Sequence, residues 1–302
     1  MSLRPSISRA GIALLVAFVA LAGLYLILRL VAQPAAPHAW FAPRGGEHRP
    51  LVFAHQGGGK LRPANTMLAF RHARDLGADV LDTDVRMTKD GALVLIHDPT
   101  VDRTTDGSGA VRDLSLAELQ QLDAGYRFSI DGGMTYPYRG LGATVPTLEE
   151  AFRAFPDQRF GIELKDGDPV MLARALCASI RHHAMQDKVL ASSFAQDRID
   201  AFRLECPEVA SSATRDEVLV FVVLHTLRLA DVLSPRYQSL QVPMRAAGWD
   251  QVTTGFIESA RRRRLAVQPW TINEGEELRR LIALGVDGVS TDDPGRLLNL
   301  LK

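Results

Sequence analysis

The stretch LGADVLDTDVRMTKDGALVLIHDPTVDRTTDGSG, residues 76–109, decides how the chain folds and where its chemistry lies. Its two apolar runs, VLDTDV (80–85) and LVLIHD (93–98), are short and rich in valine and leucine, as strands are. Outward from it, LVFAH (51–55), RFGIELK (159–165), KVLAS (188–192), SLQVP (239–243), LAVQPW (265–270) and DGVST (287–291) repeat that texture. Helical patterns alternate with them. TMLAFRHARDLG (66–77) follows Asn65 as an expected cap and stops at Gly77, and SLAELQQLDAG (115–125) sets Ser115 three residues before Glu118, the spacing of a capping box. Repeated strand–helix units favour a parallel sheet covered on both faces, and about eight of them in roughly 250 residues predict an α/β fold, a closed TIM (β/α)8 barrel.

Residues 99–148 break the rhythm with many Gly, Asp, Thr and aromatic residues, and read as an insertion over one end of the barrel. Its Tyr126, Phe128, Tyr136 and Tyr138 either touch acyl chains or pack beneath the loop. The apolar helix within 216–233 has an uninterrupted apolar core of about ten residues, too short to span a membrane, and reads as well buried or partner-facing. The run RRRR (261–264) reads as a solvated helix end.

Across all 302 residues, 35 basic and 35 acidic side chains cancel and 46% of residues are hydrophobic, which excludes a generic nucleic-acid binder and a disordered chain. The zero joins two unlike parts. Arg4, Arg9, Arg29 and Arg44 are the only charged side chains before Glu47; without them 31 basic face 35 acidic residues, a net of −4. Nineteen uncharged, mostly apolar residues, Ala10 to Leu28, nearly match a hydrocarbon layer of roughly 30 Å. The expected order is a short tail (1–9), a transmembrane anchor (10–32), a linker (33–49) with Trp40 and Phe41 at the membrane interface, and the barrel (50–302). A cleavable signal peptide is the rival, but this run exceeds a usual h-region of about 7–15 residues. The charge bias around the anchor favours an N-terminus in the cytoplasm and an extracytoplasmic globular part. Cys177 and Cys206 read as two buried free thiols, with a disulfide as the alternative in an oxidising compartment.

In such a barrel, chemistry sits where strands end at their C-terminal side. His55, Asp82, Asp84, His97, Glu163 and Lys165 all fall there. Asp82 and Asp84 are two apart on a strand and point to the same side, within reach of Glu163 on a neighbouring strand. Three hard oxygen ligands suit one divalent cation, Mg²⁺ or Ca²⁺, better than zinc. The two histidines then remain for proton transfer, the equipment of metal-assisted phosphodiester cleavage.

At these residues the sequence resembles the glycerophosphodiester phosphodiesterase family, whose fold is a TIM barrel. AHQGGGKLRPANT (54–66) resembles its H-R-G…P-E-N-T signature, and residues 76–109 its long E-x-D…V-x-H-D…T-T-x-G block. YRGLGATVPTLEEAF (138–152), IELK (162–165), VQPWTIN (267–273) and GVDGVSTDDP (285–294) follow in the family's order. The resemblance implies that His55 and His97 are the acid/base pair and that Asp82, Asp84 and Glu163 are the metal ligands. It further implies that Gln56 and Lys165 meet the phosphate and that Trp270 walls the substrate pocket. The substrate would be a glycerophosphodiester or a lysophospholipid, cleaved to an alcohol and glycerol 3-phosphate or its acylated form.

Three positions depart from the pattern. Gln56 stands where the signature has Arg, Ala64 replaces the Glu of P-E-N-T, and Asp82 replaces the first ligand Glu, one methylene shorter. The paired loss of one positive and one negative charge points to retuning. Two other functions fit the same residues: a catalytically weak, membrane-anchored phospholipid- or phosphate-binding module, and a barrel of the phosphoinositide phospholipase kind. Oligomeric state is not legible.

Overall fold

A computed structural model describes residues 9–42, 49–165, 167–246 and 248–302. Eight parallel strands form the barrel: β1 (Leu51–His55), β2 (Val80–Met87), β4 (Arg159–Leu164), β5 (Val189–Ser192), β6 (Ala210–Ser211), β7 (Ser239–Pro243), β10 (Ala266–Trp270) and β11 (Gly288–Thr291). Hydrogen bonding runs in the order β11-β1-β2-β4-β5-β6, with β7 paired to β10. The parallel bridge Ser212–Ser239 joins the two groups on one side. On the other, the Asp287 amide donates to Val267 O at 3.0 Å and the Ile272 amide to Ser290 O at 2.9 Å, so the ring closes.

One expected barrel strand is exchanged for another. LVLIHD contributes β3 (Leu93–Leu95), which pairs antiparallel with the end of β2 and leads into the insertion. Its place in the ring belongs to β6, only two residues long and made of Ala and Ser, too short to show any alternation. A further short hairpin, β8 (Arg245–Ala246) and β9 (Trp249–Asp250), stands above the ring after β7.

The helices between strands are α2 (Met67–Leu76), α4 (Leu148–Ala154), α5 (Pro169–His182), α6 (Gln196–Glu205), α7 (Arg215–Thr226), α8 (Thr254–Arg262), α9 (Gly275–Leu284) and α10 (Pro294–Leu300). Local chemistry starts and stops them. α2 ends at Gly77 in the left-handed conformation (φ 95°), and its first turn is capped by Thr66. Asn65, the expected cap, instead turns with φ 55° and sends its amide into the site described below. The insertion carries α3 (Leu116–Leu119), whose capping box is Ser115 with Glu118, and a small core of its own around Val94, Val101, Val111 and Leu119. Its aromatic residues pack on one another: the Arg139 guanidinium lies 4.0 Å from the ring centres of both Tyr126 and Tyr136, and Phe128 meets Tyr138 edge-on.

Within the first helix, α1 (Arg9–Val31), the 22 residues Ala10–Val31 have a mean hydropathy of 2.7 and are not buried, and that span is long and apolar enough to cross a membrane. After it, the chain does not follow a surface. The Ala35 amide donates to Arg263 O, Arg159 donates to Ala42 O, and Trp40 is fully buried beneath the barrel against Phe53, Val80, Leu190 and Ala210. Trp40 therefore stops the N-terminal end of the ring, because an indole dry on all sides gains more from the barrel floor than from a lipid interface. Of the segment read as a linker, residues 43–48, including Arg44, lie outside the described residues.

Two further expectations are corrected. Cys177 of α5 and Cys206 after α6 form a disulfide, Cα atoms 5.7 Å apart, where free thiols were expected: two adjacent helices of the outer ring bring them together. In the arginine run, Arg263 is buried (7% exposed), while Arg261 donates to Gly285 O and Arg262 to Asp231. The turn after α8 folds under the barrel there and takes Arg263 out of solvent.

Candidate active site

Strand register sets the geometry. β1 and β2 pair His55 with Asp82, and β2 and β4 pair Asp82 with Gly161 and Asp84 with Glu163. His55, Asp82, Asp84 and Glu163 thus form a patch across three strand ends, at two levels set by the two-residue period of the strand. Gly161 is required there: a Cβ at that position would lie 2.5 Å from Asp82 Oδ1. His97 arrives from the insertion, held by Arg86, which donates to its carbonyl oxygen at 3.0 and 2.6 Å. A cavity of about 980 Å³ opens over these strand ends and is lined by His55, Asp82, Asp84, His97, Glu163, Lys165 and Trp270. Gln56 is not among its lining residues. It sits in the turn after β1 with φ 52°, 8% exposed, and its carbonyl oxygen accepts from the Asn65 amide.

Each imidazole is oriented by a carboxylate. His55 Nδ1 donates to Asp292 Oδ1 at 2.7 Å, and Asn273 donates to the other oxygen of Asp292 at 2.8 Å. His97 Nδ1 donates to Asp98 Oδ1 at 2.7 Å, and Asp98 is gripped in turn by Arg103. A carboxylate only accepts, so in both rings the proton sits on Nδ1 and Nε2 is left for chemistry. Burial works against the His55 cation, but the Asp292 hydrogen bond and the charges of Asp82, Asp292 and Asp84 outweigh it, raising its pKa above 6.5. Arg103, with His97, holds Asp98 down at about 2.

The three carboxylates are each held differently. Ser290 Oγ donates to Asp82 Oδ2 at 2.8 Å, Asn65 Nδ2 donates to Asp84 Oδ2 at 2.9 Å, and the Lys165 ammonium bridges Asp84 Oδ1 (3.0 Å) and Glu163 Oε2 (2.8 Å). Burial pushes Asp82 up to about 6, with Asp84 and Glu163 adding to the rise against His55 and Ser290. Burial and the Asp84 charge raise Glu163 as well, against the pull of Lys165. Among the described residues, these three are not one of the groups whose ligand atoms all lie within 4.8 Å of one another; those groups are Glu149 with His182 and His183, and the disulfide-bonded cysteines with Glu208. Three hard carboxylates against one ammonium leave a desolvated excess of negative charge, which fits a divalent cation.

Asn65, Asp98, Asp292, Asn273 and Ser290 were missed as site residues. The dipeptide His97-Asp98 and the run STDDP (290–294) were the available signals, since a histidine beside an aspartate and an acidic pair at a strand end are the usual means of holding an imidazole.

Comparison with known proteins assigns this barrel to a class of phosphoric diester hydrolases. The chain belongs to the glycerophosphoryl diester phosphodiesterase family, whose model matches residues 55–296. It is 35% identical over 257 residues to the glycerophosphodiester phosphodiesterase of Caldanaerobacter subterraneus subsp. tengcongensis, covering 83% of this chain and 98% of that one. Among solved structures, an Oleispira antarctica phosphodiesterase in complex with its product sn-glycerol-3-phosphate superposes with a TM-score of 0.68 at 25% identity, over 84% of this chain and 97% of that one. A glycerophosphoryl diester phosphodiesterase domain from Mycobacterium tuberculosis shares the fold with a TM-score of 0.75 at 22% identity, over 84% of this chain and all of that one.

Proposed function

We propose that the protein hydrolyses glycerophosphodiesters or lysophospholipids to an alcohol and glycerol 3-phosphate or its acylated form, with one divalent cation, Mg²⁺ or Ca²⁺, at Asp82, Asp84 and Glu163. The observation that carries this reading is the pair of carboxylate-oriented imidazoles, His55 and His97, lining the same cavity as those three acids. The cation would supply charge neutralisation at the phosphoryl oxygens. Nε2 of one histidine accepts the proton of the attacking water as its oxygen bonds to phosphorus; Nε2 of the other donates a proton to the alcohol oxygen as the P–O bond to the alcohol breaks. Lys165, whose ammonium bridges Asp84 and Glu163, would meet a phosphoryl oxygen if a cation took over those two acids, while Trp270, edge-on to Phe194 at 5.7 Å, walls the substrate.

The same reading places the enzyme on a membrane through residues 10–32, with the barrel on the extracytoplasmic side. The apolar α1 supports the first part, and the Cys177–Cys206 disulfide supports the second, because disulfides persist in oxidising compartments. The test is alcohol release from glycerophosphocholine and lysophosphatidylcholine with Mg²⁺, Ca²⁺ or a chelator. Turnover is expected with a metal, lost on chelation, and about 10²–10⁴-fold lower in His97→Ala. Binding without turnover under every metal condition would overturn the enzyme reading in favour of a phospholipid-binding module.

A further inference from the structure

The cavity at the strand ends continues sideways between α7 and α8. α7 lines that extension through Val218, Leu219 and Val222, down to Thr226, and Phe256 of α8 and Trp249 of the β8–β9 hairpin line it as well. From Val218 to Thr226 the helix rises about 12 Å. Of the apolar side chains of α7 only Phe221 is fully buried; Val218 and Val222 pack against the core and still border the cavity, and Leu219 is exposed. The result is a single cavity with carboxylates and imidazoles over the strand ends and, along α7 and α8, an apolar stripe of Val218, Leu219, Val222 and Phe256 bordered by Arg215, His225 and Thr226. That division matches a single-chain amphiphile better than a glycerophosphodiester, whose two polar halves have nothing to place against valines.

A second observation sets this groove beside the apolar N-terminal helix. Arg29 of α1 approaches Asp231 (3.9 Å) in the turn that follows α7, the Gln33 amide donates to Ser234 Oγ, and Arg262 of α8 donates to the same Asp231 at 2.9 Å. The outer side of α7 also exposes Val220, Val223 and Leu227. The groove-forming helices and the membrane-length helix therefore share one flank.

Resting on the hydrolase reading above, we propose that the α7–α8 groove is an acyl-chain subsite, so that the preferred substrates are lysophospholipids whose tail lies along Val218 and Val222 while the phosphodiester meets the histidines. The test uses the full chain in nanodiscs and lysophosphatidylcholines of increasing acyl length, with glycerophosphocholine as the chainless reference. kcat/KM is expected to rise about twofold or more per methylene until the groove is filled, at roughly ten carbons for a 12 Å helix face. Val222→Trp, which fills the groove, should flatten the series and lower the long-to-short ratio by about tenfold or more. Leu219→Asp should do the same by placing a charge on the groove wall; Leu219 is 60% exposed, so that variant keeps the fold. Turnover of glycerophosphocholine together with a flat acyl series in the wild type would overturn the subsite and leave the hydrolase reading standing. If no phosphodiester is cleaved, the hydrolase reading fails on its own, and the change in tryptophan emission on titration with the same lipids decides the groove, since Trp249 and Trp270 line the cavity: length-dependent binding lost in Leu219→Asp supports it, length-independent binding or none overturns it. A concentration-dependent dimer that covers α7 and binds no lipid would assign the face to a second copy and also overturn it.

Discussion

The two ends of the barrel are built from the same strands and treated in opposite ways. At the N-terminal end, Trp40 closes the ring in a dry aromatic and aliphatic cluster, with the Arg159 guanidinium 5.4 Å from its ring centre. At the C-terminal end, three carboxylates, two imidazoles and one ammonium line an open cavity, and burial strains Asp82 and Glu163 toward protonation. Stability accumulates at the closed end and chemistry at the open one. Phe53 belongs to both, as it packs on Trp40 and also lines the cavity. Like charges kept at the open end cost free energy that well-packed residues elsewhere in the barrel offset.

Substitutions can break this division. Trp40→Ala should have the largest effect on folding, about 3–5 kcal/mol as expected for a fully buried aromatic residue, read by chemical denaturation. Turnover of the folded fraction should stay within a few-fold. Equal damage to kcat would show that Phe53 couples the ends and that they are not separable. Removing the disulfide with Cys177→Ser and Cys206→Ser should cost about 2–4 kcal/mol for a 29-residue separation, again with little change in kcat. A denaturation midpoint insensitive to reductant would contradict it.

The smallest and sharpest effect belongs to the open end. Asp292→Asn removes one of the charges that raise His55 and leaves at most a neutral amide oxygen in place of the carboxylate acceptor, so the His55 pKa must fall. The limb of the pH–rate profile governed by His55 should therefore move to lower pH, with kcat reduced roughly tenfold or more as the ring loses the carboxylate that fixes its tautomer and orientation, and denaturation unchanged. Movement of the acid limb would make His55 the base, and movement of the alkaline limb would make it the acid. A profile that stays in place would remove Asp292 from the site.

Much of this was legible along the chain. Strand texture, the helix stop at Gly77, the Ser115–Glu118 capping box and the strand-end positions of His55, Asp82, Asp84 and Glu163 all depend on residues a few positions apart. What escaped reading is also instructive. Asn65 looked like a cap because it precedes a helix, yet Thr66 next to it does the capping and Asn65 reaches Asp84. Lys165 looked like a phosphate contact, yet register places its ammonium between two acids. Gln56, adjacent in sequence to His55, is turned out of the cavity by the left-handed turn it occupies.

By itself, then, the sequence determined the repeating strand–helix units, the membrane-length apolar run from Ala10 and the identity of the titratable groups, because each follows from local spacing and side-chain chemistry. Only the tertiary structure decided who partners whom: His55 with an aspartate 237 positions away, Cys177 with Cys206, Trp40 beneath the ring, and Val218 and Val222 of α7 on the cavity wall. Those pairings depend on ring closure, which brings the first strand beside the last and fixes register at once for every strand end, a constraint that no local stretch of sequence carries.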